Sequence, residues 1–126
     1  MKTFIISITV SLLTFTSCKK EDSATLVMPP VVVIYSATNQ TDSTCEFYGS
    51  VELEGTNPVL LKGFCWNIDS FPTISNFKSE NGSGLDVFDT TAYLLTPQTK
   101  YYVRAYATTS SGTHYSSATL GFSTLP

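Results

Sequence analysis

The sequence predicts an all-β chain, a seven-stranded antiparallel sandwich of two sheets, and three observations carry that expectation. The first is composition. Of 126 residues only 13% are charged, against about 25% in an ordinary soluble domain, and hydroxyls fill the difference with 19 Thr and 16 Ser. Thr and aromatic residues suit a pleated, half-buried surface and are mediocre helix formers. The second is pattern: runs rich in β-branched and aromatic residues recur, none with a helical apolar stripe. The third is punctuation, since Gly, Pro, Asn and Ser clusters that turn the chain divide those runs. At 42% apolar and 13% aromatic, the chain is not a disordered tail. A net charge of −3 with no basic cluster argues against a phosphate-tracking surface, so no nucleic-acid partner is expected.

The N-terminus comes first. Met1 and Lys2 precede an uncharged run of 13 residues, Thr3 to Phe15. A bilayer-spanning helix needs about 20 apolar residues, so this run is too short. A basic start, a short apolar centre and small residues at its end describe a secretory signal. Residues 1–17 are therefore read as a leader, 18–30 as a tether and 31–126 as one domain. Pro29 and Pro30 favour extended backbone at the tether's end.

Strands are expected at Val31–Ala37, Thr44–Leu53, Val59–Ile68, Phe77–Glu80, Leu85–Leu95, Tyr101–Thr109 and His114–Thr124. Turns at Glu54–Pro58, Asn81–Gly84 and Ser110–Gly112 separate several of them. Alternation points Cys45, Phe47, Gly49, Val51 and Leu53 of the second strand inward, with Glu46, Tyr48, Ser50 and Glu52 outward. In the sixth, Tyr101, Val103, Ala105 and Ala107 oppose Tyr102, Arg104 and Tyr106; in the seventh, Ala118, Leu120 and Phe122 face inward. The third strand is apolar on both sides. Phe64 and Trp66 are assigned inward, because large side chains fill the gap of about 10 Å between packed sheets.

Chemistry-bearing residues are few. Nucleophilic catalysis needs a base beside the nucleophile, and His114, the one histidine, reads as an exposed turn residue. No serine sits in a nucleophile motif and no cysteine in a metal-spaced cluster. Glu46, Glu52, Glu54, Asp69, Asp86 and Asp89 read as solvated charge, with neither a calcium-loop spacing nor a facing pair. No enzyme activity, cofactor or metal is expected. Cys45 and Cys65, on strands of opposite sheets, read as buried thiols rather than a bridge. The candidate binding surface is the outward row Tyr102, Arg104 and Tyr106, where aromatic faces beside a guanidinium suit a sugar ring or a protein partner. The structural alternative is that these residues stabilise the sheet as cross-strand pairs.

Two resemblances add to this reading. Thr16-Ser17-Cys18 at the end of the leader resembles the lipobox of bacterial lipoproteins, although Phe15 stands where an aliphatic residue is usual. It implies that Cys18 is lipidated and becomes the mature N-terminus, anchored firmly because each buried CH₂ contributes about 0.8 kcal/mol. Lys19-Lys20-Glu21-Asp22 resembles the export signal of surface lipoproteins of the Bacteroidetes group, which implies an outer-membrane, cell-surface location.

The second covers Val31 to Thr124. Leu95-Thr96-Pro97-Gln98-Thr99-Lys100-Tyr101-Tyr102-Val103-Arg104-Ala105 is similar to the L-x-P-x-T-x-Y-x-V-x-A pattern of fibronectin type III domains, an immunoglobulin-like fold. The resemblance makes Tyr101 a tyrosine corner supported by Leu95, Pro97 and Thr99. Gly63-Phe64-Cys65-Trp66-Asn67, Pro72-Thr73-Ile74-Ser75 and Gly82-Ser83-Gly84 resemble the signature of such modules in Bacteroidetes surface proteins. Tyr115 to Phe122 is one residue longer than the usual last strand, so a β-bulge is expected there. Such modules usually stand in tandem or beside a catalytic domain; here one works alone on its anchor, or the chain is a shortened relative of something larger. The expected function is a non-catalytic, lipid-anchored interaction or spacer module. The alternative is a carbohydrate-binding accessory lipoprotein using Tyr102, Arg104 and Tyr106.

Overall fold

The computed structural model describes residues 26–126. Eight strands occur in it: β1 (Val31–Thr38), β2 (Cys45–Leu53), β3 (Leu61–Asn67), β4 (Phe77–Lys78), β5 (Asp86–Ala92), β6 (Lys100–Thr109), β7 (Gly112–Tyr115) and β8 (Leu120–Ser123). They form two antiparallel sheets. The smaller runs β1-β2-β5, and the larger runs β4-β3-β6 with both β7 and β8 on the free side of β6.

Alternation builds the core. Cys45, Phe47 and Val51 of β2 meet Phe64 and Trp66 of β3 and Val103, Ala105 and Ala107 of β6, all buried. Phe47 lies at the centre, with ring centroids 5.6 Å from Phe64, 5.4 Å from Trp66 and 5.5 Å from Phe122. Burying such a ring contributes about 1.5–3 kcal/mol, and tilted aromatic pairs add about 0.5–1.5 kcal/mol.

Four expectations need correction. Leu53 does not face the core; it is 62% exposed. It pairs with Val31 at the very end of the sheet, where the β1 register shifts between Val31 and Val32 and the alternation is interrupted. The fifth strand ends at Ala92, because Leu94 turns left-handed at φ 62° and takes Tyr93 and Leu94 out of the sheet.

The third correction is at the C-terminus, where the last strand is two strands. Between the pairs Tyr106–Tyr115 and Val103–Leu120, β6 has two residues and the edge has four, so the surplus is two residues rather than a one-residue bulge. Ser116 holds the break together: its N–H donates to Ala105 O at 2.9 Å, while its hydroxyl accepts from Ala105 N–H at 3.1 Å and donates to Ala118 O at 2.8 Å. Ala118 is left exposed instead of inward.

The fourth concerns Tyr106. Its side chain leaves the core side of β6 as expected, yet it is 1% exposed. Opposite it in the register stands Gly63, whose missing side chain makes room for the ring. After β4 the chain continues beside β3, with Ser79 N–H donating to Phe64 O at 2.8 Å and Asn81 N–H to Lys62 O at 2.7 Å. That turns Ser79 O over the outer face, where the Tyr106 hydroxyl donates to it at 2.7 Å. A Cβ on Gly63 would sit 2.1 Å from Ser79 O and 3.0 Å from the Tyr106 ring. Gly63→Ala is therefore expected to destabilise the fold by about 1–3 kcal/mol, as overpacking does, measured as a lowered urea midpoint.

Candidate functional site

The outward row of β6 is held in place by its surroundings. Arg104 Nε donates to Pro72 O at 2.7 Å, and its guanidinium lies 3.9 Å above the Tyr115 ring. The Tyr115 hydroxyl in turn accepts from Ile74 N–H at 3.1 Å. Cys65, buried on the same side, points its thiol at Pro72 O at 3.5 Å. Together these contacts strap the β3–β4 connection across the face. Tyr102 is half-buried opposite Gly121, with the Lys100 ammonium 5.5 Å from its ring centroid. Tyr102, Arg104 and Tyr106 thus do not form an open, co-planar platform, because Tyr106 lies under the Ser79 segment and Arg104 is committed to Pro72 and Tyr115.

The β5–β6 corner is equally structural. The Tyr101 hydroxyl accepts from Thr96 N–H at 2.9 Å, and Thr99 donates its hydroxyl to Pro97 O at 2.8 Å. Leu95 is buried beneath them. Thr124 ties the last strand to the same corner, donating its hydroxyl to Thr96 O at 2.6 Å and accepting from Thr99 N–H at 2.9 Å.

Titratable and nucleophilic side chains are scattered among the described residues. Among the described residues no three His, Cys, Asp or Glu side chains stand close enough to share a metal. His114 is half-buried, with Nε2 3.4 Å from the Ser111 hydroxyl, which is itself bonded to Thr109. Glu54 accepts from Val59 N–H, and Glu80 pairs with Lys78. Cys45 and Cys65 are both free and buried. Cys18 and the tetrad Lys19, Lys20, Glu21 and Asp22 lie outside the described residues.

Two surfaces escaped the sequence reading. One is an apolar recess of about 230 Å³ between the larger sheet and the β5–β6 connection, lined by Trp66, Phe77, Tyr93, Leu94, Leu95 and Tyr101 together with Thr96. Phe77 stacks on Trp66 at 17°, and Leu94 is 95% exposed. The signal was present in two consecutive apolar residues, Tyr93 and Leu94, just before the corner. The other is an open cleft of about 290 Å³ on the outer face of the smaller sheet, where β1, β2 and β5 bring together Ser36, Thr38, Glu46, Tyr48, Asp89 and Thr91. Its signal was the outward row of β2.

No protein-family model matches the sequence, and no curated protein matches it. Solved structures do. The sensor domain of the anti-sigma factor RsgI4 of Pseudobacteroides cellulosolvens aligns with TM-score 0.55 at 17% identity, over 77% of this chain and 95% of that one. A solution structure of that sensor domain gives TM-score 0.51 at 17% identity, over 76% and 75%. The fibronectin type-III domain of human fibronectin type III domain containing protein 3 gives TM-score 0.50 at 16% identity, over 85% and 94%. The fold is a fibronectin type III-like sandwich. At such identities the likeness speaks for the fold and leaves ligands open.

Burial within this fibronectin-like module sets its alkaline limit. Desolvation pushes the Cys45 and Cys65 thiols from 9.0 up to about 11, and the Tyr106 phenol from 10.0 to about 12. All three ionise more readily in the unfolded chain, so their contribution is complete below about pH 9 and is lost as pH rises through 11 to 12. Urea midpoints are expected to fall above pH 9, and Tyr106→Phe to reduce the part of that fall lying above pH 10.

Proposed function

We propose that the chain is a non-catalytic, lipid-anchored cell-surface module that displays an interaction site at the pole opposite its anchor. One observation carries this reading: the last residues before β1, from Leu26 on, and the apolar recess lie at opposite ends of the sandwich. The described chain begins beside the β2–β3 turn, where Met28 N–H donates to the Thr56 hydroxyl at 2.7 Å and Thr56 N–H donates to Met28 O at 2.9 Å. At this end Val31 pairs with Leu53, and Leu61 with Thr108. The recess opens at the other end, past Trp66 and Ala92. β6 has 10 residues, and at about 3.3 Å each they separate the two ends by roughly 30 Å.

Lipidation of Cys18 would seat the tether end at the membrane and turn the recess outward. A recess with aromatic and aliphatic walls and few polar groups suits an aliphatic or aromatic side chain of a protein partner, the type of anchor that dominates protein interfaces. The strapped outer face of the larger sheet supports a rigid spacer beneath it. Surface export through Lys19 to Asp22 and an outer-membrane location complete the proposal.

Cys18→Ser is expected to move the protein from the membrane to the soluble fraction and to abolish fatty-acid labelling in cells. Retention of the variant in membranes would contradict the anchor. In the anchored protein, a photo-crosslinking residue at position 94 is expected to yield a discrete adduct that the same residue at position 60, exposed at the tether end, does not. Equal labelling at both positions would contradict an interaction site in the recess.

A further inference from the structure

The outer face of the smaller sheet is built differently from the strapped face. β1 carries a bulge between Ile34 and Ser36. Bulges re-aim side chains, and this one sets Tyr35 outward beside Tyr48, with ring centroids 6.1 Å apart and planes at 43°. The Tyr35 hydroxyl donates to Glu52, and Asn39 Nδ2 donates to Glu46 Oε1 at 2.9 Å, so two of the face's carboxylates are held in position. Tyr35 and Tyr48 are 47% and 46% exposed, so both side chains remain accessible to solvent.

The register sets what stands beside them. Ser36, Tyr48 and Asp89 form one row across β1, β2 and β5, and Thr38, Glu46 and Thr91 form the next. Short hydroxyl side chains therefore flank taller aromatic and carboxylate ones, which leaves the open cleft of about 290 Å³. Among the described residues no lysine or arginine lines it.

We infer that this cleft binds a neutral polysaccharide, with a sugar ring against Tyr48 and its hydroxyls donating to Asp89 and Glu46. The chemistry favours a sugar in three ways. A tyrosine face packs against the C–H side of a pyranose while its hydroxyl stays wet. Carboxylates accept hydrogen bonds from sugar hydroxyls and, being ionised, form the stronger class of such bonds. Ser36, Thr38 and Thr91 donate or accept as the ligand requires. The absence of a cationic side chain in the lining, with two carboxylates present, sets the class: uronic-acid and sulfated chains are repelled. An open cleft slightly smaller than the roughly 300–1,000 Å³ of enclosed small-molecule sites suits a unit or two of a continuing chain. The inference rests on the reading of the protein as a binding module rather than an enzyme, but on neither the recess nor the anchor.

Affinity electrophoresis of the full chain, in native gels containing galactomannan, xyloglucan, mixed-linkage β-glucan or glycogen, tests it. Polygalacturonate and poly-L-lysine gels serve as comparisons. At least one neutral polysaccharide is expected to retard the protein and polygalacturonate is not. Tyr48→Ala is expected to weaken retardation at least tenfold and Asp89→Asn several-fold, while Phe71→Ser, an exposed change away from this face, leaves it unchanged. Both cleft residues are exposed, so unchanged melting temperatures will separate lost binding from lost folding. Failure of every neutral polysaccharide to retard the chain, or retardation insensitive to Tyr48→Ala, would overturn the inference. Retardation by poly-L-lysine alone, lost in Asp89→Asn, would also overturn it and assign the face to a basic protein partner. A photo-crosslink at position 94 that persists in Tyr48→Ala would keep the recess proposal standing whatever the gels show.

Discussion

Phe47 fixes the spacing between the two sheets, and the rest of the module is arranged around that ring. It comes from the smaller sheet, is fully buried, and meets Phe64, Trp66 and Phe122 of the larger one at 5.4–5.6 Å. Removing a ring of this kind from a core typically costs about 3–5 kcal/mol. Its neighbours need room, and glycine supplies it. A Cβ on Gly49 would stand 3.1 Å from the Phe64 ring and 2.6 Å from Val33 O. The same device recurs on the outer face, where Tyr106 lies opposite Gly63 and Tyr102 opposite Gly121. Large rings set over glycines let a small chain bury much apolar area with few residues.

This packing divides labour between the outer faces. The larger sheet's face is covered by the β3–β4 connection and the segment after β4, held by Arg104, Tyr115 and Tyr106. The aromatic and guanidinium groups there serve stability, so that face acts as a brace. Among the described residues no such strap crosses the smaller sheet. Its tyrosines and carboxylates remain exposed, and two of the carboxylates, Glu52 and Glu46, are held by bonds from Tyr35 and Asn39. A carboxylate held this way, as Glu46 is, is pre-organised, so it loses little conformational entropy when a ligand arrives.

Much of this was legible in the chain. The alternation in Cys45–Val51 and Tyr101–Ala107 marked the core face, the pair Phe64 and Trp66 was assigned inward, and the Leu95–Ala105 pattern located the corner that the Tyr101–Thr96 bond closes. What period could not reveal was contact over long separation. Tyr106 reads as outward by alternation, and its burial depends on Ser79, 27 residues away. Leu53 reads as inward, but it stands at the sheet's end beside a register shift and is exposed. The break at Ser116 depends on one hydroxyl replacing a backbone partner. The cleft was legible only in part: the outward row of β2 shows Glu46 and Tyr48, but their neighbours Ser36, Thr38, Asp89 and Thr91 come from β1 and β5 through the register.

The division between a strapped face and an open one is tested most directly by tyrosine nitration of the native protein with peptide mapping. Tyr93, Tyr35 and Tyr48, at 67%, 47% and 46% exposure, are expected to react first, and Tyr101 and Tyr106, at 5% and 1%, only on unfolding. Nitration of Tyr106 as early as Tyr48 would show that the outer face of the larger sheet is open, and would contradict the assignment of Arg104 and Tyr106 to bracing the fold.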